Sequence, residues 1–198
     1  MKVFSIRWGR LFLLSVAVTL SSTMVAKVIE IKSEEKLNRI MRKNILSVVL
    51  FYNEDRQTRH DRYMREQLRS LRQDFKALSV SPRYQDADVV FVTANIARGD
   101  LQALWQELGA QEVPVAVLYR DGSVVSDKNN NVAMLPGLFR QGDLKKFIND
   151  NLNKDIDDIL EIKSERRRAR LEEDRLRARY YGSYYGPWVG LYLRWPEP

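Results

Sequence analysis

The fold turns on one stretch, Gly109-Ala110-Gln111-Glu112-Val113-Pro114-Val115-Ala116-Val117-Leu118-Tyr119-Arg120-Asp121-Gly122-Ser123-Val124-Val125. Val113-Pro114 leads into an apolar strand from Val115 to Tyr119. Asp121-Gly122 is the dipeptide of a tight hairpin and returns the chain through Val124-Val125. Gly109 closes a short helix opened by Asp100, with Leu101, Leu104, Trp105 and Leu108 on one stripe. That spacing makes Trp105 a packing residue. Upstream, Val89 to Ala94 and Ile45 to Tyr52 are almost wholly apolar, the mark of strands buried on both faces. Between them Met64, Leu68, Leu71, Phe75 and Leu78 recur every three or four residues and predict a helix. Ser79 to Asp86, with Pro82, breaks it. Val28 to Ile31 reads as another strand. Ser33 then starts a helix with Glu34 and Glu35 in its first turn, Leu37, Ile40 and Met41 on one face, and Asn44 in a left-handed closing position. Downstream, Asn129-Asn130-Asn131 is loop, and Leu144, Phe147, Ile148 and Leu152 share a final helix. The order is βαβαβαββα, an α/β unit.

Composition limits the chemistry. The 198 residues are 44% hydrophobic and 30% charged, enough apolar material for a core. There is no cysteine and one histidine, His60. Disulfides, zinc–thiolate sites, iron–sulfur clusters and thiol catalysis are excluded, and a multi-histidine metal site with them. His60 alone reads as an exposed polar residue. The charge of +7 is uneven. Residues 1–26 hold Lys2, Arg7 and Arg10 and no acid, and residues 163–198 hold nine basic and five acidic side chains. The stretch between is neutral, so the basic balance gives the main body no affinity for nucleic acid. No phosphate loop or dinucleotide fingerprint is present. The carboxylates Asp157-Asp158 and Glu172-Glu173-Asp174 are neighbours on helices and diverge, where a glycosidase needs a facing pair.

The N-terminus has the form of a secretory signal. Lys2, Arg7 and Arg10 precede an apolar run from Leu11 to Leu20, followed by Ser21, Ser22 and Thr23 and a cleavage position after Ala26. The alternative is an uncleaved anchor, for which the run is short against the roughly 20 residues that span a bilayer. No cysteine follows for lipoprotein processing, and Arg194-Trp195-Pro196-Glu197-Pro198 is no retrieval signal. The expectation is an exported protein, periplasmic or secreted, with membrane association through either end.

In element order and in three stretches the chain resembles the thioredoxin family. Residues 109–125 are similar to the segment that carries that family's cis-proline, next strand and hairpin. Gly142 to Leu152 resembles the closing helix, and Val48 to Tyr52 the strand before the active-site loop. The resemblance covers residues 27–152. It implies a central mixed β-sheet flanked by helices and a cis peptide bond before Pro114. Its departure is central: the redox Cys-Gly-Pro-Cys positions fall on Arg56-Gln57-Thr58-Arg59, and the family's buried acid falls on Leu50. Guanidinium groups cannot do the work of a low-pKa thiolate, so oxidoreductase activity is lost.

What the groove retains is binding. Arg56 and Arg59 at a helix N-terminus could take an anion or acidic peptide, or simply be neutralised by Glu54, Asp55 and Asp61 in a solvated loop, the reading favoured here. The family's cis-proline turn offers backbone groups to an extended peptide and needs no thiol. Tyr52, Arg56, Arg59, Val113 and Pro114 are the peptide- or anion-binding candidates. No catalytic residue, metal or cofactor is expected.

Past residue 152 the composition shifts. Ile156, Ile159, Leu160 and Ile162 continue a helical stripe into a charged helical extension, residues 153–179, with Arg166, Arg167 and Arg168. Residues 180–198 form a Tyr/Trp-rich tail without regular period. Tyr184, Tyr185, Trp188 and Trp195 join the three arginines as candidates for an anionic membrane surface or a protein partner; nucleic acid is not expected. The reading is an exported, redox-inactive binding or chaperone-like adaptor. The alternatives are an envelope-associated structural protein held by its tail, or a carboxylate- or arginine-based enzyme beside Pro114.

Overall fold

A computed structural model describes residues 28–55, 61–97 and 100–185, with side chains as far as Tyr180. The expected signal segment, the Arg56–Arg59 positions and His60 lie outside the described residues, as do Trp188 and Trp195.

Leu46–Tyr52 is the central strand, β2, and every residue of it is buried. Its alternation divides the core. Leu46, Val48, Leu50 and Tyr52 face one apolar cluster, whereas Val49 and Phe51 face the other. β1 (Ile29–Ile31) and β3 (Val90–Asn95) run parallel to it, in the order β1-β3-β2. β4 (Val115–Arg120) lies antiparallel on the other side of β2, from Leu46↔Arg120 to Phe51↔Val115. β5 (Ser123–Val124) and β6 (Met134–Pro136) both pair with β4, completing a mixed six-stranded sheet. The hairpin between β4 and β5 turns through Asp121 and Gly122, both at positive φ (51° and 80°), as a twisted two-residue turn requires.

Helices cover both faces. α1 (Glu34–Lys43) buries Leu37 and Met41, with acids in its first turn and Arg42 and Lys43 in its last, each complementing the dipole. α2 (Arg62–Ser79) opens on Asp61, whose side chain accepts from the backbone N–H groups of Tyr63 (2.9 Å) and Met64 (3.2 Å). It buries Leu68, Leu71, Phe75 and Leu78, and Phe75 meets Phe91 of β3 edge-on at 5.2 Å. α3 is the short helix Pro82–Asp86, and α4 is Asp100–Glu107, closed by Gly109 at φ 69°. α5 runs from Gln141 to Tyr185, 45 residues without a break. Leu144, Ile148, Leu152 and Ile156 on it are fully buried, each four residues after the last. α2 and α5 thus cover one face of the sheet and α1 and α4 the other.

Four local expectations change. Asn44 is extended (φ −122°), not left-handed; its side-chain N–H donates to the Ile40 carbonyl at 2.7 Å and closes α1 that way. The expected break around Pro82 contains α3, because proline at the first helical position has no N–H to waste. β6 was not expected: three residues ending in proline show no alternation, and only β4 makes them a strand. α5 runs through residue 152 with Ile156 on the same buried line, and it continues beyond residue 180 to Tyr185, into the segment expected to lack a regular period.

Candidate functional site

The site expected from the sequence sits where β2 and β4 run out together. Their last ladder pair is Phe51↔Val115. Beyond that pair β2 runs on through Tyr52 into Asn53, and Val113-Pro114 leads into β4. The Val113–Pro114 peptide bond is cis. The Pro114 carbonyl is taken, accepting from the Gly137 N–H at 2.8 Å beside β6. Val113 is half-buried and stands outside both ladders of β4. Asn53 presents a buried side-chain oxygen, Oδ1, with no hydrogen-bond partner.

Asn95, at the end of β3, fixes the start of the loop after β2. It is 4% exposed, and its Oδ1 accepts from the backbone N–H groups of Glu54 and Ala97, both at 3.1 Å. The Tyr52 carbonyl accepts from the Ile96 N–H at 2.9 Å. The chain thus leaves the sheet in a set direction before it reaches residue 56. In the sequence Asn95 shows only as a polar residue after the apolar run from Val89 to Ala94, and its partners lie outside that run.

Tyr52 does not belong on the surface of the groove. Its side chain is 1% exposed and packs in the core beneath Arg72, whose guanidinium lies 5.1 Å from the ring centre. Arg72 also approaches Glu54 at 3.7 Å. Asp61, expected to help neutralise Arg56 and Arg59, is the cap of α2. Trp105 is half-buried against the second cluster, with its indole N–H buried and unpartnered. Leu50, at the position where the family carries an acid, is wholly buried among apolar neighbours.

The other candidates are on α5. Arg166, Arg167 and Arg168 are exposed, as is every residue from 164 to 180. The helix stays on the domain as far as Lys163, whose ammonium donates to the Asp86 carbonyl at 2.7 Å and pairs with Asp88. Arg83 binds Asn153 and Asp157 (both 2.7 Å), and Arg120 pairs with Asp155 (3.1 Å). Tyr184 and Tyr185 are the last helical residues. The rim at Val113 and the tip of α5 are separate places on the molecule's sequence and share no element.

A mixed sheet in the order β1-β3-β2-β4-β5 with helices on both faces settles the architecture. The fold is thioredoxin-like. No family model matches the chain, and no curated protein matches its sequence. Among solved structures it is similar to a mutant thioredoxin from Halobacterium salinarum (18% identity, 64% of this chain and 91% of that one, TM-score 0.47). It is similar also to the thioredoxin of Malassezia sympodialis (15%, 64% and 91%, 0.46) and to oxidised Plasmodium falciparum thioredoxin (17%, 62% and 95%, 0.42). This thioredoxin-like chain has no cysteine, so no thiolate exists to attack a disulfide.

Proposed function

We propose that the protein is an exported, non-catalytic binding module that takes an extended polypeptide at the rim beside Pro114. The observation that carries this reading is the end of the ladder: Val113 stands outside both ladders of β4, and Asn53, just past the end of β2, has a side-chain oxygen with no partner. An extended chain laid along Val113 adds main-chain hydrogen bonds where the ladder stops, the economy of strand addition. Asn53 Oδ1 is buried without a partner, and a donor from the bound chain that reached it would remove the cost of that orphan acceptor. The form of residues 1–26 supports export.

Isotope-labelled protein titrated with a reduced, alkylated unfolded polypeptide tests the reading. Amide shifts are expected at Val113, Asn53 and Glu54, and Asn53→Ala is expected to weaken binding several-fold. Shifts confined to α1 or α5, or no binding at all, would overturn it.

A further inference from the structure

The outer side of α2 holds a line of positive charge that the fold does not use. All five basic residues of the helix, Arg62, Arg65, Arg69, Arg72 and Lys76, recur at intervals of three or four. They share one stripe about 21 Å long. The buried Leu68, Leu71, Phe75 and Leu78 form a different line, which holds the helix on the sheet. Arg62 pairs with Glu66 at 3.3 Å, and Arg72 is engaged by Glu54 and the Tyr52 ring. Arg65, Arg69 and Lys76 are exposed and make no ion pair among the described residues. The arrangement works against the helix. Each successive pair on the stripe is of like sign, and the first turn of α2 has no acid to meet the dipole.

We infer that this stripe is a docking surface for an acidic polypeptide segment, whose carboxylates meet Arg65, Arg69 and Lys76. A guanidinium donates two parallel hydrogen bonds to a carboxylate, and the ammonium of Lys76 adds a point charge. An extended segment sets alternate side chains about 6.7 Å apart, close to the rise of about 6 Å from Arg65 to Arg69. The surroundings separate this partner from other polyanions. Beside the stripe the exposed residues are Glu66, Ser70, Gln73 and Ala77. Among the described residues of α2 only Tyr63 is a large apolar side chain left exposed, too little to enter a bilayer or to stack successive bases. Residues 27–162 are neutral as a whole, so no long-range field draws a membrane or a nucleic acid to this face. A short acidic segment needs no such field, because it matches the stripe charge for charge. The inference is independent of the rim at Pro114.

The isotope-labelled full chain is titrated with a short peptide of alternating glutamate and serine, and with its glutamine-for-glutamate counterpart. Shifts are expected along α2 with the acidic peptide at low salt, lost at about 0.5 M salt and absent with the glutamine peptide. The midpoint is read at the Ser70 and Gln73 amides, so binding at the basic ends of the chain does not enter it. In R65Q/R69Q/K76Q, with its fold checked by circular dichroism, the half-saturating peptide concentration should rise about tenfold. Shifts confined to residues outside α2, an unchanged midpoint in the variant, or no binding would overturn the inference. So would tighter binding at α2 of an oligothymidylate of equal charge, which would assign the stripe to nucleic acid. A response of α2 to phosphatidylglycerol vesicles without one to the peptide would overturn it in favour of a membrane.

Discussion

Tyr119 and Ser47 face each other across β4 and β2, and both carry a buried hydroxyl with no partner. Such a group forfeits its bonds to water and gains nothing in return, a cost of about 1–3 kcal/mol. Burial also pushes the Tyr119 phenol above its ordinary value of 10.0, because the phenolate would be desolvated. Tyr84 is shifted the same way by burial, against the pull of Arg83, but its hydroxyl is bonded to Asn149 at 3.3 Å. As pH climbs past 10.0 the unfolded chain loses these protons first. It then binds fewer protons than the folded chain, so stability is flat below that pH and falls above it. Tyr119→Phe removes the orphan and the titration together. It is expected to raise stability by about 1 kcal/mol at neutral pH, with a wider margin at about pH 10.5. Urea unfolding at the two values checks this; a less stable variant at neutral pH would mean that the hydroxyl is satisfied.

Element by element, α5 has two halves with opposite physics. Up to Lys163 it is held by buried Leu144, Ile148, Leu152 and Ile156 and by ties from Arg83, Arg120 and Asp88. Beyond, it stands in water. A chain ended after residue 165 should keep the full domain stability within about 0.5 kcal/mol. One ended after residue 152 loses Ile156 and the partners of Arg83 and Arg120, and should fall by about 2–5 kcal/mol. Denaturation midpoints of the two truncations measure the difference, and equal midpoints would contradict the burial. This also shows what the sequence could and could not convey. β2 and β4 were legible because a strand buried on both faces leaves an unbroken apolar run. β6 was not, because a three-residue edge strand takes its conformation from its partner. The rim was half legible: Val113-Pro114 stands out in the sequence, but the buried environment of Tyr52 and the two hydrogen bonds accepted by Asn95 exist only once the strands are side by side.

For the whole molecule, the neutral domain and the basic arm are two regimes of stability in one chain. Helix in water is marginal without tertiary support, but nucleation is its costly step, and the docked half supplies the nucleus. Hydrogen exchange is therefore expected to divide α5. Amides near Ile148 and Leu152 should exchange only on global unfolding, and those past residue 166 orders of magnitude faster. Equal protection along the helix would show the arm covered by something in solution, such as a second copy of the chain.

The unbroken backbone of α5 also has a mechanical meaning. From Lys163 to Tyr180 a helix extends about 25 Å and fixes the azimuth of its end as firmly as its distance. One residue inserted between them would turn the tip about 100° relative to the sheet, whereas seven would return it almost to its starting bearing. The arm is thus a crankshaft: its length can vary in steps of a heptad at little cost, and any other change swings its end to a new compass direction relative to the rim at Val113.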